Sequence, residues 1–165
     1  MGARPPPVTL VPILRDGTTA LRIADLASLP ADVLPSTVAL YAARGYQPPF
    51  VGYLAVVAGR AVGTCAFAAP PQGGRVEIAY FTFPGREGLG LATEMARRLV
   101  AIARAARPDL LVFAHTRPGP GASVTVLTRL GFGCAGVVDH PEDGAVWEWR
   151  LPPVAAGLPR GPSPL

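Results

Sequence analysis

No lysine occurs anywhere in this chain, so all 15 of its basic residues are arginine. That excludes a Walker-type phosphate loop, in which a lysine reaches the phosphates. Asparagine is missing as well, while Ala, Gly, Pro and Arg abound. This bias has the look of a GC-rich coding background, and the Pro and Arg counts therefore carry little functional meaning. Charge is sparse, at 16% of residues with a net +4. The arginines are scattered, the longest basic run being Arg97-Arg98, and no aromatic-interleaved basic stripe appears, so no nucleic-acid partner is expected. A solvated surface with some attraction for a polyphosphate ligand is the more economical account. Only two cysteines are present, Cys65 and Cys134, far apart and in apolar surroundings. Neither His115 nor His140 is spaced to complete a metal set with them. Two buried free thiols and no metal are expected. No apolar run is long enough to cross a bilayer, and the opening MGARPPP lacks the apolar stretch of a secretory leader. Gly2 begins like a myristoylation signal, but Pro6 stands where Ser or Thr is wanted. The expectation is a cytoplasmic chain without membrane contact.

Half of the 165 residues are hydrophobic, enough for one globular domain with a real core, expected over 8–151. The Pro/Gly-rich stretches 1–7 and 152–165 are expected to be flexible tails.

The most informative stretch is Val76–Ala106. Val76–Phe83 is rich in β-branched and aromatic residues and ends at Pro84, which marks a strand. Gly85, Gly88 and Gly90 then make a turn in which backbone amides can approach a ligand. From there Leu91, Met95, Leu99, Ile102 and Ala106 recur on one helical face. Glu94 is placed to pair with Arg97 or Arg98 on the other face, and Arg107-Pro108 ends the helix. A glycine turn feeding a helix N-terminus suits an anion, because orphan N–H groups and the helix dipole both face outward there. Such a turn also serves merely to reverse a chain, and both readings stay open. A dinucleotide fingerprint is excluded: Thr93 stands where its third glycine belongs, and Asp109 precedes the next strand instead of ending it.

Read in order, Val8–Leu14 is expected as a strand, followed by a turn at Asp16-Gly17. Thr19–Leu29 and Ala31–Arg44 read as helices closed by Pro30 and Gly45, with 46–50 a rigid connector. A hairpin spans Val51–Val57 and Ala61–Ala68 around Ala58-Gly59-Arg60. After the Val76–Ala106 unit, Leu110–His115 reads as a buried strand. Ala122–Leu130 reads as a short helix with Gly131 at its C-cap, and two strands at Phe132–Val138 and Ala145–Leu151 complete the order β-α-α-β-β-β-α-β-α-β-β.

Four of these pieces together resemble the GNAT superfamily of acyl-CoA N-acyltransferases: EIAYFTFP at Glu77–Pro84, EGLGLA at Glu87–Ala92, HTRPGPGAS at His115–Ser123 and VLTRLGF at Val126–Phe132. The flavour is that of the branch resembling ribosomal-protein and other N-terminal acetyltransferases. The resemblance covers roughly Val8 to Leu151. It implies an α+β fold: a mixed, mostly antiparallel sheet of six or seven strands with about four helices on its faces. It also implies an N-acetyltransferase using acetyl-CoA, with direct attack by an amine in a ternary complex. The acceptor would be an amine-bearing small molecule or a protein N-terminus, and the chain a monomer or homodimer. A GNAT-like domain that binds acyl-CoA or another nucleotide without catalysis is the alternative.

The same resemblance places the cofactor at Phe81, Thr82 and Phe83, at Arg86 through Thr93 (Arg86, Glu87, Gly88, Leu89, Gly90, Leu91, Ala92, Thr93), and at Ser123. The amides of Gly88 to Ala92 would hold a pyrophosphate, and donors near Phe81 or Thr82 an oxyanion. Three positions depart from the family pattern. Glu87 stands where Gln or Arg is usual, and a carboxylate beside a pyrophosphate repels unless it points away; Arg86 offsets it. Pro120 removes a polar contact and a backbone donor. Leu127 stands where many relatives carry a tyrosine that protonates the leaving thiolate.

Three catalytic candidates follow. Glu77 on the central strand is either a general base or an acid paired outward near Arg75. His115 is either a base or a core histidine bonded to backbone. Ser123 is either a proton donor or a helix cap. The acceptor's own pKa sets the demand on a base. A lysine amine is neutral in roughly one molecule in 2,500 at pH 7, an α-amine in about one in seven. The acceptor groove is expected between 19–44 and 139–144, with Tyr46, Phe50, His140, Glu142 and Asp143 as lining.

Overall fold

The computed structural model describes Arg4 and residues 6–154. The expected tails fall partly outside the described residues, at 1–3, 5 and 155–165. Seven strands form one sheet: β1 Thr9–Pro12, β2 Gly52–Val57, β3 Arg60–Phe67, β4 Arg75–Thr82, β5 Leu111–Thr116, β6 Gly133–His140 and β7 Gly144–Leu151. The helices are α1 Val33–Arg44, α2 Leu91–Ala106 and α3 Ala122–Arg129. The spatial order is β1-β2-β3-β4-β5-β7-β6, and every neighbouring pair is antiparallel except β4–β5. The mixed α+β class expected from the sequence is what forms.

The helix expected at Thr19–Leu29 is absent, and only a 3-10 turn at Leu26–Ser28 remains. Its backbone groups are committed elsewhere: the Ala20 amide donates to the Pro12 carbonyl and the Ala24 amide to that of Gly59. With donors already satisfied by β1 and the β2–β3 turn, a helical ladder has nothing to add. The count of about four helices is thus corrected to three α-helices.

Packing divides between the two faces. α2 lies on β3 and β4 and against α3, burying Leu91, Met95, Ala96, Leu99 and Ala103. The apolar stripe therefore runs through Ala96 and Ala103, with Ile102 only half-buried and Ala106 exposed. Met95 and Leu99 are fully buried, and each contributes about 1.5–3 kcal/mol by leaving water. Glu94 pairs with both Arg97 and Arg98. On the other face Val33 and Leu34 of α1, with Leu29 before it, cover a smaller cluster of Val11, Ile13, Ile23, Leu54 and Val56. Cys65 is buried, but Cys134 is exposed on the edge strand β6, which corrects the expectation of two buried thiols.

One buried side chain fastens α1 to the sheet. The Tyr41 hydroxyl donates to the Ile13 carbonyl and accepts from the Gly52 amide, both at 2.8 Å. Gly52 leaves room for this approach, since a Cβ there would sit 2.8 Å from Thr37 Cγ2. Tyr41→Phe strands a buried donor and a buried acceptor, each worth about 1–3 kcal/mol when unmade. Urea denaturation of that variant is expected to show a loss of about 2–3 kcal/mol; an unchanged midpoint would mean the hydroxyl does not hold α1.

Candidate functional site

β4 changes partners along its length. Arg75, Val76 and Glu77 pair with Leu111, Val112 and Phe113 of β5, whereas Ile78 to Thr82 pair only with β3. β4 and β5 diverge beyond Glu77, and the second edge of β4 is left open from Ile78 onward. At the far end of β4 the approach to β3 is close: a Cβ on Gly63, the partner of Thr82, would lie 2.7 Å from the Phe81 carbonyl oxygen, so only glycine fits there.

The divergence opens a cavity of about 520 Å³ between the end of β4, the loop into α2, and α3. Gly88 and Gly90 take φ of 78° and 76°, the left-handed conformation that turns the loop into the first turn of α2 without a Cβ clash. Of the residues assigned to the cofactor, Phe81, Thr82, Arg86, Glu87, Gly88, Gly90, Leu91, Ala92, Thr93 and Ser123 line this cavity. Leu89 lines an adjoining hollow with Arg97 and Arg129 instead. Phe83 is buried, its amide bonded to the Val62 carbonyl at 2.9 Å. The Glu87 carboxylate turns back on its own loop and accepts from the Gly85 amide at 2.8 Å. The cavity thus offers an anion the amides of a helix N-terminus, Arg86 and Arg129 within it and Arg97 beside it, with the one acid already engaged.

A second cavity, about 430 Å³, opens on the face roofed by α1. Its floor is Thr64, Ala66, Ala79 and Phe81, its wall Val33, Ser36, Thr37 and Leu40, and Asp32 is its single charged side chain. Tyr80 and Phe81 line both cavities, so the two meet at the open stretch of β4. The lining expected from Tyr46 and Phe50 is corrected. Phe50 is buried edge-to-face on Phe67, and Tyr46 packs on Tyr41. His140 lines neither cavity: its Nδ1 accepts from the amides of Glu142 and Asp143, and its ring packs edge-on against His115 with centroids 5.6 Å apart.

Glu77 and His115 come together. Strand alternation puts Glu77, Phe113, His115, Glu148 and Arg150 on one face of neighbouring strands. His115 Nδ1 lies 3.1 Å from Glu77 Oε1, and its Nε2 lies 3.3 Å from Glu148 Oε2. A neutral imidazole donates through one nitrogen only, so it serves both carboxylates as donor only when it carries both protons. Glu148 also accepts from Arg75 at 2.8 Å and from Arg150 at 2.7 Å, and the Arg75 guanidinium sits 4.3 Å above the Phe113 ring. Burial pushes the Glu148 carboxyl up. The bonds from Arg150 and His115 and the charges of Arg75 and Arg150 outweigh that and hold it below its ordinary value. Glu148 escapes a motif search because it belongs to no motif. The available signal was an acid between Trp147 and Trp149 in a strand otherwise alternating apolar. Ser123 sits at the exposed start of α3 and makes no side-chain capping bond there. No cluster of His, Cys, Asp or Glu among the described residues has a metal-binding arrangement, and no described helix is long and apolar enough to cross a membrane.

Residues 26–133 match the model of the acetyltransferase (GNAT) domain. No curated protein sequence matches the chain. Among solved structures, yncA of Salmonella typhimurium with its cofactor acetyl-CoA is 20% identical, aligns over 76% of this chain and 77% of its own, and superposes with a TM-score of 0.60. The RimL ribosomal L7/L12 α-N-protein acetyltransferase in complex with coenzyme A is 21% identical over 72% and 68%, with a TM-score of 0.58. The ribosomal-protein-S5-alanine acetyltransferase of Vibrio fischeri is 14% identical over 64% and 62%, at 0.57. At these identities the likeness is one of fold.

The Glu148 cluster has a pH signature. A carboxyl held below its ordinary value in the folded state adds stability that is complete above about pH 4.3, the unfolded value. That stability is lost as pH falls through the folded value. Glu148→Gln is expected to be less stable than wild type at pH 7 and to approach it as the medium is acidified toward pH 3. Urea midpoints at the two pH values measure this, and parallel losses in both proteins would refute it.

Proposed function

The chain belongs to the acetyltransferase (GNAT) domain family, and from that premise we propose that it moves an acetyl group from acetyl-CoA to a primary amine by direct attack in a ternary complex. One observation carries the reading. The unpaired edge of β4 is reached from one side by a cavity suited to an anion and from the other by a cavity of mainly apolar lining. Neighbours of the same fold hold acetyl-CoA or coenzyme A, and the donor set fits such a molecule. The amides of Gly88 to Ala92, with Arg86 and Arg129, would take the pyrophosphate. The open backbone of Ile78 to Thr82 would pair with an amide-bearing arm as a neighbouring strand does. Acetyl-CoA supplies an activated thioester carbonyl.

The residues of the chain supply orientation and proton handling. Backbone donors near Phe81 or Thr82 stabilise charge on the carbonyl oxygen, commonly a large part of catalysis. Glu77, assisted by His115, accepts the proton lost by the amine. Neither Glu77 nor His115 lines either cavity, and Glu77 lies two residues along the strand, about 7 Å, from Ala79 in the floor of the second, so the proton would travel through intervening water. A relayed base of this kind suits an α-amine, which is already neutral in an appreciable fraction at pH 7. The acceptor is accordingly assigned as a small amine or a protein N-terminus with an uncharged body, matching a cavity whose one charged side chain is Asp32.

Calorimetry with acetyl-CoA, paired with thiol release against amines and N-terminal peptides, tests the reading. Binding with release is expected; binding without release on a broad panel would favour a non-catalytic domain. Glu77→Gln is expected to lower kcat/KM about 100-fold at pH 7 while leaving acetyl-CoA affinity unchanged. Full turnover in that variant would remove Glu77 from the mechanism.

A further inference from the structure

β4 and β5 stay paired as far as Glu77 and Phe113, and His115 stands two residues past that last pair, where the strands part. Its imidazole spans the gap. Nδ1 lies 3.1 Å from Glu77 Oε1, and Nε2 lies 3.3 Å from Oε2 of Glu148, its partner on β7. The two carboxylates are not equivalent. Glu148 is buried, and its Oε1 already accepts from Arg75 at 2.8 Å and from Arg150 at 2.7 Å. A guanidinium can only donate, so Glu148 is a fixed acceptor with Oε2 left for Nε2. Glu77 has no such anchor: among the described residues its side chain bonds to His115 alone. The other titratable neighbour is His140, whose ring sits edge-on at 5.6 Å and whose Nδ1 is engaged by the Glu142 and Asp143 amides.

We infer that Glu148 is a positioning residue that fixes the tautomer of His115. It holds the single proton of the neutral imidazole on Nε2 and so leaves the Nδ1 lone pair facing Glu77. This rests on the acetyltransferase reading and assigns the residue that prepares its base. An amine proton reaching Glu77 through water then passes on to Nδ1, and the imidazolium so formed lies between two carboxylates. Atoms and charges balance. The amine nitrogen forms the C–N bond and gives its proton to this pair, while the C–S bond breaks with its electrons on sulfur. The thiolate takes a proton from solvent, and the imidazolium returns one to solvent. With the opposite tautomer, a proton on Nδ1 would already fill the contact with Glu77, and Nε2 would set a lone pair against the Glu148 carboxylate.

Glu148→Gln reverses the contact. Arg75 and Arg150 claim the one amide oxygen, which turns the NH2 group toward Nε2 and forces the ring proton onto Nδ1. Nitrogen-15 spectra of the imidazoles read this directly at alkaline pH, where the rings are neutral. The chain has two histidines, and His140→Gln assigns their signals. The expected result is the Nε2–H tautomer of His115 in wild type and Nδ1–H in Glu148→Gln. The same variant is expected to lose about 10- to 100-fold in kcat with calorimetric affinity for acetyl-CoA unchanged, which shows it folded. In a His115→Ala background the Glu148→Gln change is expected to cost nothing further in kcat. A proton on Nδ1 in wild type overturns the assignment, whatever the variants do. So does full turnover in Glu148→Gln, lost acetyl-CoA affinity there, or an equal loss in both backgrounds, which would make Glu148 a structural residue. Each of these leaves the acetyltransferase reading standing. Failure of wild type to release thiol with any amine overturns that reading and this inference with it.

Discussion

The whole arrangement depends on the exchange of partners along β4. Three residues bond to β5 and the next five bond to β3 alone. Backbone N–H and C=O groups left unpaired in a sheet interior are costly unless water or a ligand meets them. A cavity must therefore accompany the divergence, and here there are two, one on each face of the same stretch. The fold thus creates an open backbone edge flanked by two cavities by withholding hydrogen bonds in the middle of a sheet.

Electrostatics follow the same division. On the loop side, cations line the cavity while the Glu87 carboxylate accepts from the Gly85 amide. On the far half of the sheet, Glu148 gathers Arg75, Arg150 and His115. Two guanidiniums around one carboxylate leave His115 with Glu77 as its other partner, a contact between residues on separate strands. Burying Glu148 is affordable only because its partners are in place.

The strand, turn and long helix at 75–106 were legible because strong periodicities of two and of 3.6 residues meet at a glycine cluster, and local propensity and tertiary packing agree there. Thr19–Leu29 misled because its hydrogen bonds are made with β1 and the β2–β3 turn, partners invisible to a local pattern. Cys134 misled for a similar reason: apolar neighbours suggest burial, but β6 is the edge of the sheet and no described residue covers it. Tyr46 and Phe50 read as groove aromatics and pack inward instead. Of the candidate site, the loop and the Glu77 and His115 positions were recoverable from motif order. Their mutual contact, and the presence of Glu148 and Tyr80, required the register between strands far apart in sequence.

The two faces of the sheet are held unequally. The face under α2 and α3 carries a contiguous core reaching from Val8 to Trp149, whereas the face under α1 rests on five buried residues and a few half-buried ones. The free energy of opening a segment follows the apolar contact it forfeits. Tyr41 fastens the last turn of α1, so its first turns form the sub-global unit whose amides would exchange soonest. That unit is the roof of the second cavity. The size limit on whatever enters is therefore set by an opening equilibrium and not by a rigid wall, and discrimination against bulkier molecules should weaken as the temperature rises.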